Sequence, residues 1–250
     1  MSNDFICLLV DNSNTRTKFL LSGAVHDGEI RYLPTADITE ESVVATVSGW
    51  SFDRVCLCSV VPWAAQRIVS AFAPLPVDML GARNVAGVDF SDYPEVETLG
   101  ADRIANVLAA VRCSPLPLVA VDLGTATTLD VVVERNGQPH FLGGLIAPGY
   151  SAMATSLRNN TALLPECALV SEPAVIGRST QEAMGSALYI GYPGMLDSLL
   201  DAINAELGEN MNVVLTGGDA ELIAPRLRRK CRIEPRLTLQ GIALAAGFAF

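Results

Sequence analysis

The sequence is short of positive charge. Its 17 lysines and arginines face 27 aspartates and glutamates, for a net charge of −10. An acidic field of that size repels phosphate backbones and argues against nucleic-acid binding as the main task. An anionic small substrate remains open to it, provided local backbone N–H groups and a cation receive the charge. Metal-ligand spacing is missing as well. The six cysteines, Cys7, Cys56, Cys58, Cys113, Cys167 and Cys231, include no C-x-x-C pair, and the two histidines, His26 and His140, are isolated. This argues against a zinc site and favours small buried thiols in a reducing compartment. Cys56 and Cys58 lie in the apolar run Val55-Cys56-Leu57-Cys58, where strand alternation puts both on one face. No apolar run reaches the roughly 18 residues of a membrane span. The start, Met1-Ser2-Asn3-Asp4, lacks the basic residues of a signal peptide, so a cytoplasmic location without a membrane partner is expected.

What the chain does have is core. Half of its 250 residues are hydrophobic and only 18% are charged. Such a chain folds without staples and makes one to two domains.

Two segments look alike. Leu8–Phe19 and Val119–Leu129 each read as an apolar strand ending in aspartate, a run of small and hydroxyl residues, and a second apolar strand. Each second strand then meets a turn dipeptide, Asp27-Gly28 or Asn136-Gly137, of the kind that suits a type I′ hairpin. Third strands are expected at Glu29–Leu33 and His140–Leu142. Arg54–Ser59 and Asn212–Thr216 read as buried strands. Ile104, Val107, Leu108 and Val111 share helical spacing, as do Met195, Leu196, Leu199, Leu200 and Ile203. Ser179 and Glu182 form a candidate capping box, and Pro193 is expected to break or kink the helix that follows. Ser114-Pro115-Leu116-Pro117 reads as a hinge. The expected division is therefore residues 1–114 and 115–250, two meander-led α/β lobes with a cleft between them.

The two loops carry chemistry. Small and hydroxyl residues let backbone N–H groups approach a phosphate, and an aspartate at the strand end can hold a cation that bridges phosphate oxygens. One such loop is weak, because Asp-Asn-Ser-Asn is also a plain turn. Two at matching places suggest a triphosphate gripped from both sides. Thr216-Gly217-Gly218 reads either as a place for a flat nucleobase or as a tight strand-to-helix turn. Gly143–Gly149 has too much glycine for a regular element and is expected to be a shaped loop. Asp102, in Leu99-Gly100-Ala101-Asp102-Arg103, stands at a helix start, where the macrodipole favours a carboxylate whatever its role.

Taken together, these segments resemble the type III pantothenate kinases of the actin-like superfamily of acetate and sugar kinases. The resemblance runs along nearly the whole chain. Asp11-Asn12-Ser13-Asn14-Thr15-Arg16-Thr17-Lys18 resembles that family's first phosphate loop. Gly100-Ala101-Asp102-Arg103, with Tyr93 nine positions before Asp102, resembles its pantothenate motif. Asp122–Thr128 is similar to its second phosphate loop and Thr216-Gly217-Gly218 to its adenosine motif. Gly143–Gly149 and Ile176–Thr180 are similar to family segments too, and Ser59-Val60-Val61-Pro62 more weakly so.

The resemblance implies an α/β fold of two actin-like (ribonuclease H-like) lobes, each a mixed sheet flanked by helices. It implies ATP-dependent phosphorylation of pantothenate to 4′-phosphopantothenate, the first step toward coenzyme A, by a cytoplasmic homodimer. Asp102 would accept the proton of the pantothenate hydroxyl. Tyr93, Gly100, Ala101, Arg103 and Thr180 would bind pantothenate. Asp11 to Lys18, Gly124, Thr125, Thr216, Gly217 and Gly218 would bind ATP. Asp122 would hold a monovalent cation, potassium or ammonium, and Asp11 would face magnesium travelling with the nucleotide. One departure stands out: Ser13 replaces the glycine usual in the first loop, at a cost if positive φ is needed there, or with the benefit of a hydroxyl offered to a phosphate. The alternatives are a catalytically impaired regulatory protein on this fold, and a kinase of the same superfamily acting on another small molecule.

Overall fold

The computed structural model describes residues 5–167 and 173–248. The expectation drawn from Met1–Asp4 lies outside the described residues.

The first strand, β1 (Cys7–Asn12), is buried throughout and pairs antiparallel with β2 (Arg16–Leu21), which pairs antiparallel with β3 (Arg31–Pro34). Helix α1 (Glu40–Thr46) starts where Thr39 and Ser42 form a reciprocal capping box. Strand β4 (Arg54–Ser59) joins β1 in parallel. Helix α2 (Pro62–Phe72) opens on a proline, whose missing N–H is no loss at the first helical position. Strand β5 (Val77–Met79) completes a mixed sheet of order β3-β2-β1-β4-β5. One face carries Leu8, Val10, Val55 and Leu57 into a core with Ile38, Ile68 and Phe72. The other face carries Leu9 and Asp11 beside Cys56 and Cys58, their register partners.

Helix α3 (Ala101–Cys113) leads to β6 (Leu118–Leu123), β7 (Ala126–Arg135) and β8 (Gln138–Pro148). Then come α4 (Tyr150–Asn160), α5 (Thr180–Leu207), β9 (Asn212–Thr216), α6 (Ala220–Ile223), β10 (Arg232–Ile233) and α7 (Leu237–Ala245). The second sheet has the order β10-β9-β6-β7-β8.

Two compact units result. Unit 1 holds the chain up to Leu118, Asp130–Gly143 and the stretch from Arg236; unit 2 holds Val119–Leu129 and Gly144–Pro235. The first passage between them, at Leu118/Val119, adjoins the expected hinge at Ser114–Pro117. In unit 1 the Cys56 thiol donates to the Ile242 carbonyl of α7, 3.8 Å away. Burial pushes the Cys7 thiol up to about 11 and the Cys56 thiol up to about 12, as befits inert packing groups.

Four local expectations need correction. Asp27-Gly28 forms no type I′ turn: a 3-10 turn at Ser22–Ala24 intervenes, the Gly28 N–H donates to the Ala24 carbonyl, and β3 begins later, at Arg31. Asn136-Gly137 does make the expected turn, with φ of 54° and 76°. Gly143–Gly149 is mostly strand, because β8 runs on to Pro148. Its Gly143 takes φ 122°, a backbone conformation that favours glycine, and sits in ordinary contact with the Tyr93 ring. Of the break or kink expected at Pro193, the break does not occur, since α5 spans 28 residues and buries Met184, Leu188, Tyr192, Leu196 and Leu200 on one stripe. Packing of that stripe overrides the local penalty. The Ser179 cap is half of a box: Ser179 accepts from the Glu182 N–H, but the Glu182 carboxylate accepts from Arg178 N instead of Ser179 N.

Candidate active site

The site is built upward from β1. Alternation puts Asp11 at the end of this strand, on the face that carries Cys58, and leaves it 1% exposed. Lys18, its register partner across the hairpin, donates from Nζ to Asp11 Oδ2 at 2.9 Å, and Ser13 Oγ donates to Oδ1 at 2.8 Å. Ser13 is not at positive φ, so the serine is accommodated without backbone strain. Its hydroxyl serves Asp11. Asn12 and Thr17 turn inward: Asn12 Nδ2 donates to Thr17 Oγ1 at 2.8 Å, and Ser59 Oγ donates to Asn12 Oδ1 at 2.6 Å. Asn14, Thr15 and Arg16 form the exposed tip. The side chains of Asn12 and Thr17 therefore shape the loop, while the tip is what the loop presents.

Asp102 lies in the first turn of α3, whose N-cap is Gly100. Its Oδ1 accepts from Arg103 N at 2.8 Å. Burial pushes the carboxyl above the usual carboxylate range; the Arg103 N–H pulls it back and Asp11 pushes it up again. The helix start alone would favour an ordinary ionised carboxylate, so burial wins here. Gly100 is fitted to this group: a Cβ at that position would stand 2.5 Å from Asp102 Oδ1. Beside it a cavity of about 370 Å³ is lined by Ser59, Val60, Leu80, Gly81, Val96 and Gly100.

Arg103, the next residue, is 9% exposed and pairs with Asp130, which is fully buried in β7. Its Nε and Nη2 lie 2.8 and 2.6 Å from Asp130 Oδ1. Its guanidinium stands 5.9 Å from the centre of the Phe141 ring, against which Tyr93 packs edge-on at 5.5 Å. Burial pulls the Arg103 pKa down, but the charge and hydrogen bond of Asp130, with Tyr93, raise it overall. Tyr93 and Arg103 thus come together as expected. Asp130 and Phe141 were missed by sequence reasoning. A signal existed: Asp130 is a charge set inside the apolar run Leu129-Asp130-Val131-Val132.

In unit 2, β6 and β9 end side by side. The Gly124 N–H donates to the Ala126 carbonyl at 3.2 Å, and the Gly149 N–H donates to the Thr125 carbonyl at 3.1 Å. Gly217, at φ 95°, brings the adenosine-type loop against the second phosphate-type loop; a Cβ there would lie 2.5 Å from the Leu123 backbone and 2.6 Å from Asp122 Oδ1. Asp219 N closes the junction on the Leu123 carbonyl at 3.2 Å. Asp122, Gly124, Thr125, Thr216, Gly217 and Gly218 are therefore gathered. Thr216 is buried, whereas Thr125 and Gly218 are exposed. Thr180 stands apart from them in the chain, exposed at the first residue of α5.

The residues fit the implied cations unequally. Asp122 Oδ1 lies beside bare Gly217, and a carboxylate oxygen is the kind of ligand a monovalent cation takes. No group of three metal-ligating side chains occurs among the described residues. Magnesium then fits only as an ion carried by phosphates, with one carboxylate supporting it. Asp11, the carboxylate expected to face it, is 1% exposed, with Oδ2 held by Lys18 and Oδ1 by Ser13.

A family model described as type III pantothenate kinase matches residues 7–202. A protein of Akkermansia muciniphila named type III pantothenate kinase is 41% identical over 241 residues, covering 96% of this chain and 98% of its own. Its namesake from Rhodospirillum rubrum is 33% identical, covering 95% and 96%. Among solved structures, a conserved putative Baf family transcriptional activator from Campylobacter jejuni aligns at a TM-score of 0.58 with 17% identity, over 96% of this chain and 97% of that one. A ROK family glucokinase from Streptomyces griseus, in complex with glucose and AMPPNP, aligns at 0.51 with 13% identity, over 96% and 97%. Those two likenesses bear on the fold, which is shared with sugar kinases.

Proposed function

Because the chain belongs to the type III pantothenate kinase family, we propose that it transfers the terminal phosphoryl group of ATP to the pantothenate hydroxyl with Asp102 as the base. The observation that carries the assignment is the environment of Asp102. Burial raises the carboxyl toward working pH, and Arg103 N and bare Gly100 fix its orientation. A raised carboxyl is a better proton acceptor than an ordinary aspartate, and it stays aimed at one hydroxyl.

Phosphoryl transfer runs through a loose transition state, so positioning and charge neutralisation supply most of the acceleration. Arg103, held by Asp130, receives the pantothenate carboxylate, with Tyr93, Gly100, Ala101 and Thr180 completing the acceptor contacts. The tip Asn14-Thr15-Arg16 presents backbone N–H groups to phosphate, and Lys18 adds charge while restraining Asp11. Gly124 and Thr125 take phosphate, and Thr216-Gly217-Gly218 take the adenosine. Magnesium and a potassium or ammonium ion supply neutralisation of the phosphate charge when bound. Asp11 supports the first and Asp122 the second. Ser13, where the family usually has glycine, sits without backbone strain.

The test is ADP release by purified protein with ATP, magnesium and pantothenate, in potassium and then in sodium. Pantothenate-dependent turnover that falls when sodium replaces potassium is the expected result. No turnover in either salt from folded protein, or turnover indifferent to pantothenate, overturns the reading.

A homodimer is also proposed. Unit 2 exposes Ile146 at 66%, Leu163 at 93%, Val175 at 75% and Ile176 at 82%, apolar side chains that a second copy would cover. Sedimentation at micromolar concentration is expected to give twice the chain mass of 26.5 kDa, and a single-chain mass refutes it. No helix among the described residues is long and apolar enough to cross a membrane. A cytoplasmic location, and no nucleic-acid partner for a chain at −10, complete the proposal.

A further inference from the structure

Thr35 follows β3 and opens a 3-10 turn, far in sequence from every motif discussed above. It is 2% exposed, yet it holds the first phosphate loop at two points. Its N–H donates to the Thr15 carbonyl at 3.0 Å, and its Oγ1 donates to the Ser13 carbonyl at 2.6 Å. A trans peptide is planar, and its N–H points opposite to its C=O. With the carbonyls of Ser13 and Thr15 turned onto Thr35, the N–H groups of Asn14 and Arg16 are directed away from it.

The Thr35 hydroxyl also ends a chain of side-chain bonds whose direction follows from counting protons. Ser59 Oγ donates to Asn12 Oδ1 at 2.6 Å, and Asn12 Nδ2 donates to Thr17 Oγ1 at 2.8 Å. Thr35 has one hydroxyl proton, and the Ser13 carbonyl takes it. The 3.2 Å contact between Thr17 Oγ1 and Thr35 Oγ1 is then a donation from Thr17. Each member donates to the next, from Ser59 in β4 to the loop carbonyl. Such an aligned chain in a buried setting strengthens every link. Thr35 and Thr17 are too deeply buried to touch a ligand themselves.

We propose that Thr35 is a positioning residue for the nucleotide phosphates, acting through the clamp it makes on Ser13 and Thr15. The inference rests on the kinase reading for its nucleotide. It adds a residue that no motif contains, and the chain of bonds that ties it to Thr17, Asn12 and Ser59.

The test compares Thr35→Val, which keeps shape and loses the hydroxyl, with Thr35→Ser, which keeps the hydroxyl. Thr35→Val is expected to raise the KM for ATP about tenfold, because a buried carbonyl loses its donor and the tip loses its aim. The KM for pantothenate should stay within about twofold, and Thr35→Ser should restore the KM for ATP. Calorimetric binding of a non-hydrolysable ATP analogue, without pantothenate, should weaken in parallel. That arm separates the two readings. If the parent binds the analogue but phosphorylates no pantothenate, the acceptor assignment fails while the clamp is still judged by the analogue. Should Thr35→Val not fold, Thr17→Val breaks the chain one link earlier and is expected to raise the KM for ATP about threefold. Folded Thr35→Val with unchanged nucleotide affinity overturns the proposal. So does an equal rise in both KM values, or a Thr17→Val protein of parental affinity where that variant stands in.

Discussion

Asp102→Asn is expected to lower turnover by about a thousandfold, while ATP binding stays near the parental value. The substitution keeps size and keeps an oxygen for the Arg103 N–H, which the parent carboxylate accepts at 2.8 Å. What it removes is the charge and the basic lone pair. It also removes a carboxylate that Asp11 repels, so the variant should fold at least as firmly as the parent. The pH profile carries a second mark of the same group. A base works deprotonated, so kcat/KM falls as pH drops through its pKa. Burial sets that pKa above the ordinary aspartate range, and the acid limb of the parent is expected correspondingly high. In Asp102→Asn that limb should vanish from whatever activity remains. Near-normal turnover, or a parental acid limb in the variant, removes Asp102 from the base role.

The parts of this protein that the sequence made legible are those with a local cause. Asp11 and Asp122 each end or nearly end a buried strand before a run of small residues, and both lie where that pattern puts them. Asn136-Gly137 is a turn because both residues accept positive φ. The misreadings have causes that the residues in question do not themselves declare. Asp27-Gly28 carries the same turn chemistry, but the segment folds back earlier, with Gly28 N bonded to Ala24 O. Pro193 sits in a helix held by the buried stripe from Met184 to Leu200. Gly143 takes a positive φ within β8, beside Tyr93 fifty residues away in the chain, and the strand passes through it. Asp130 and Thr35 belong to the site only by virtue of what they meet in space. Asp130 meets Arg103, and Thr35 meets Ser13 and Thr15. The first leaves only a charge inside an apolar run as its trace, and the second leaves none in a window of neighbouring residues.

Asp130→Asn should have the second large effect, this time on stability and on the acceptor together. The parent buries a guanidinium against a fully enclosed carboxylate. Desolvation makes such a pair a poor source of net stability, yet removing one partner leaves a buried charge unanswered, at about 3–5 kcal/mol. For a chain of this size that is a fall in Tm of roughly 10 °C. Asparagine can still accept from Nε, so the guanidinium is not released outright, but its charge is no longer balanced. The KM for pantothenate should therefore rise as the orientation of Arg103 loosens, with the KM for ATP little changed. A double substitution separates the two consequences. Arg103→Met with Asp130→Leu removes both charges and fills the space with apolar atoms, and it is expected to recover most of the lost Tm. It should recover no pantothenate affinity, because the group that receives the carboxylate is gone. If Asp130→Asn melts with the parent, the pair is not the buried unit that its geometry describes. If the double variant regains pantothenate turnover, Arg103 is a packing residue and the carboxylate is received elsewhere.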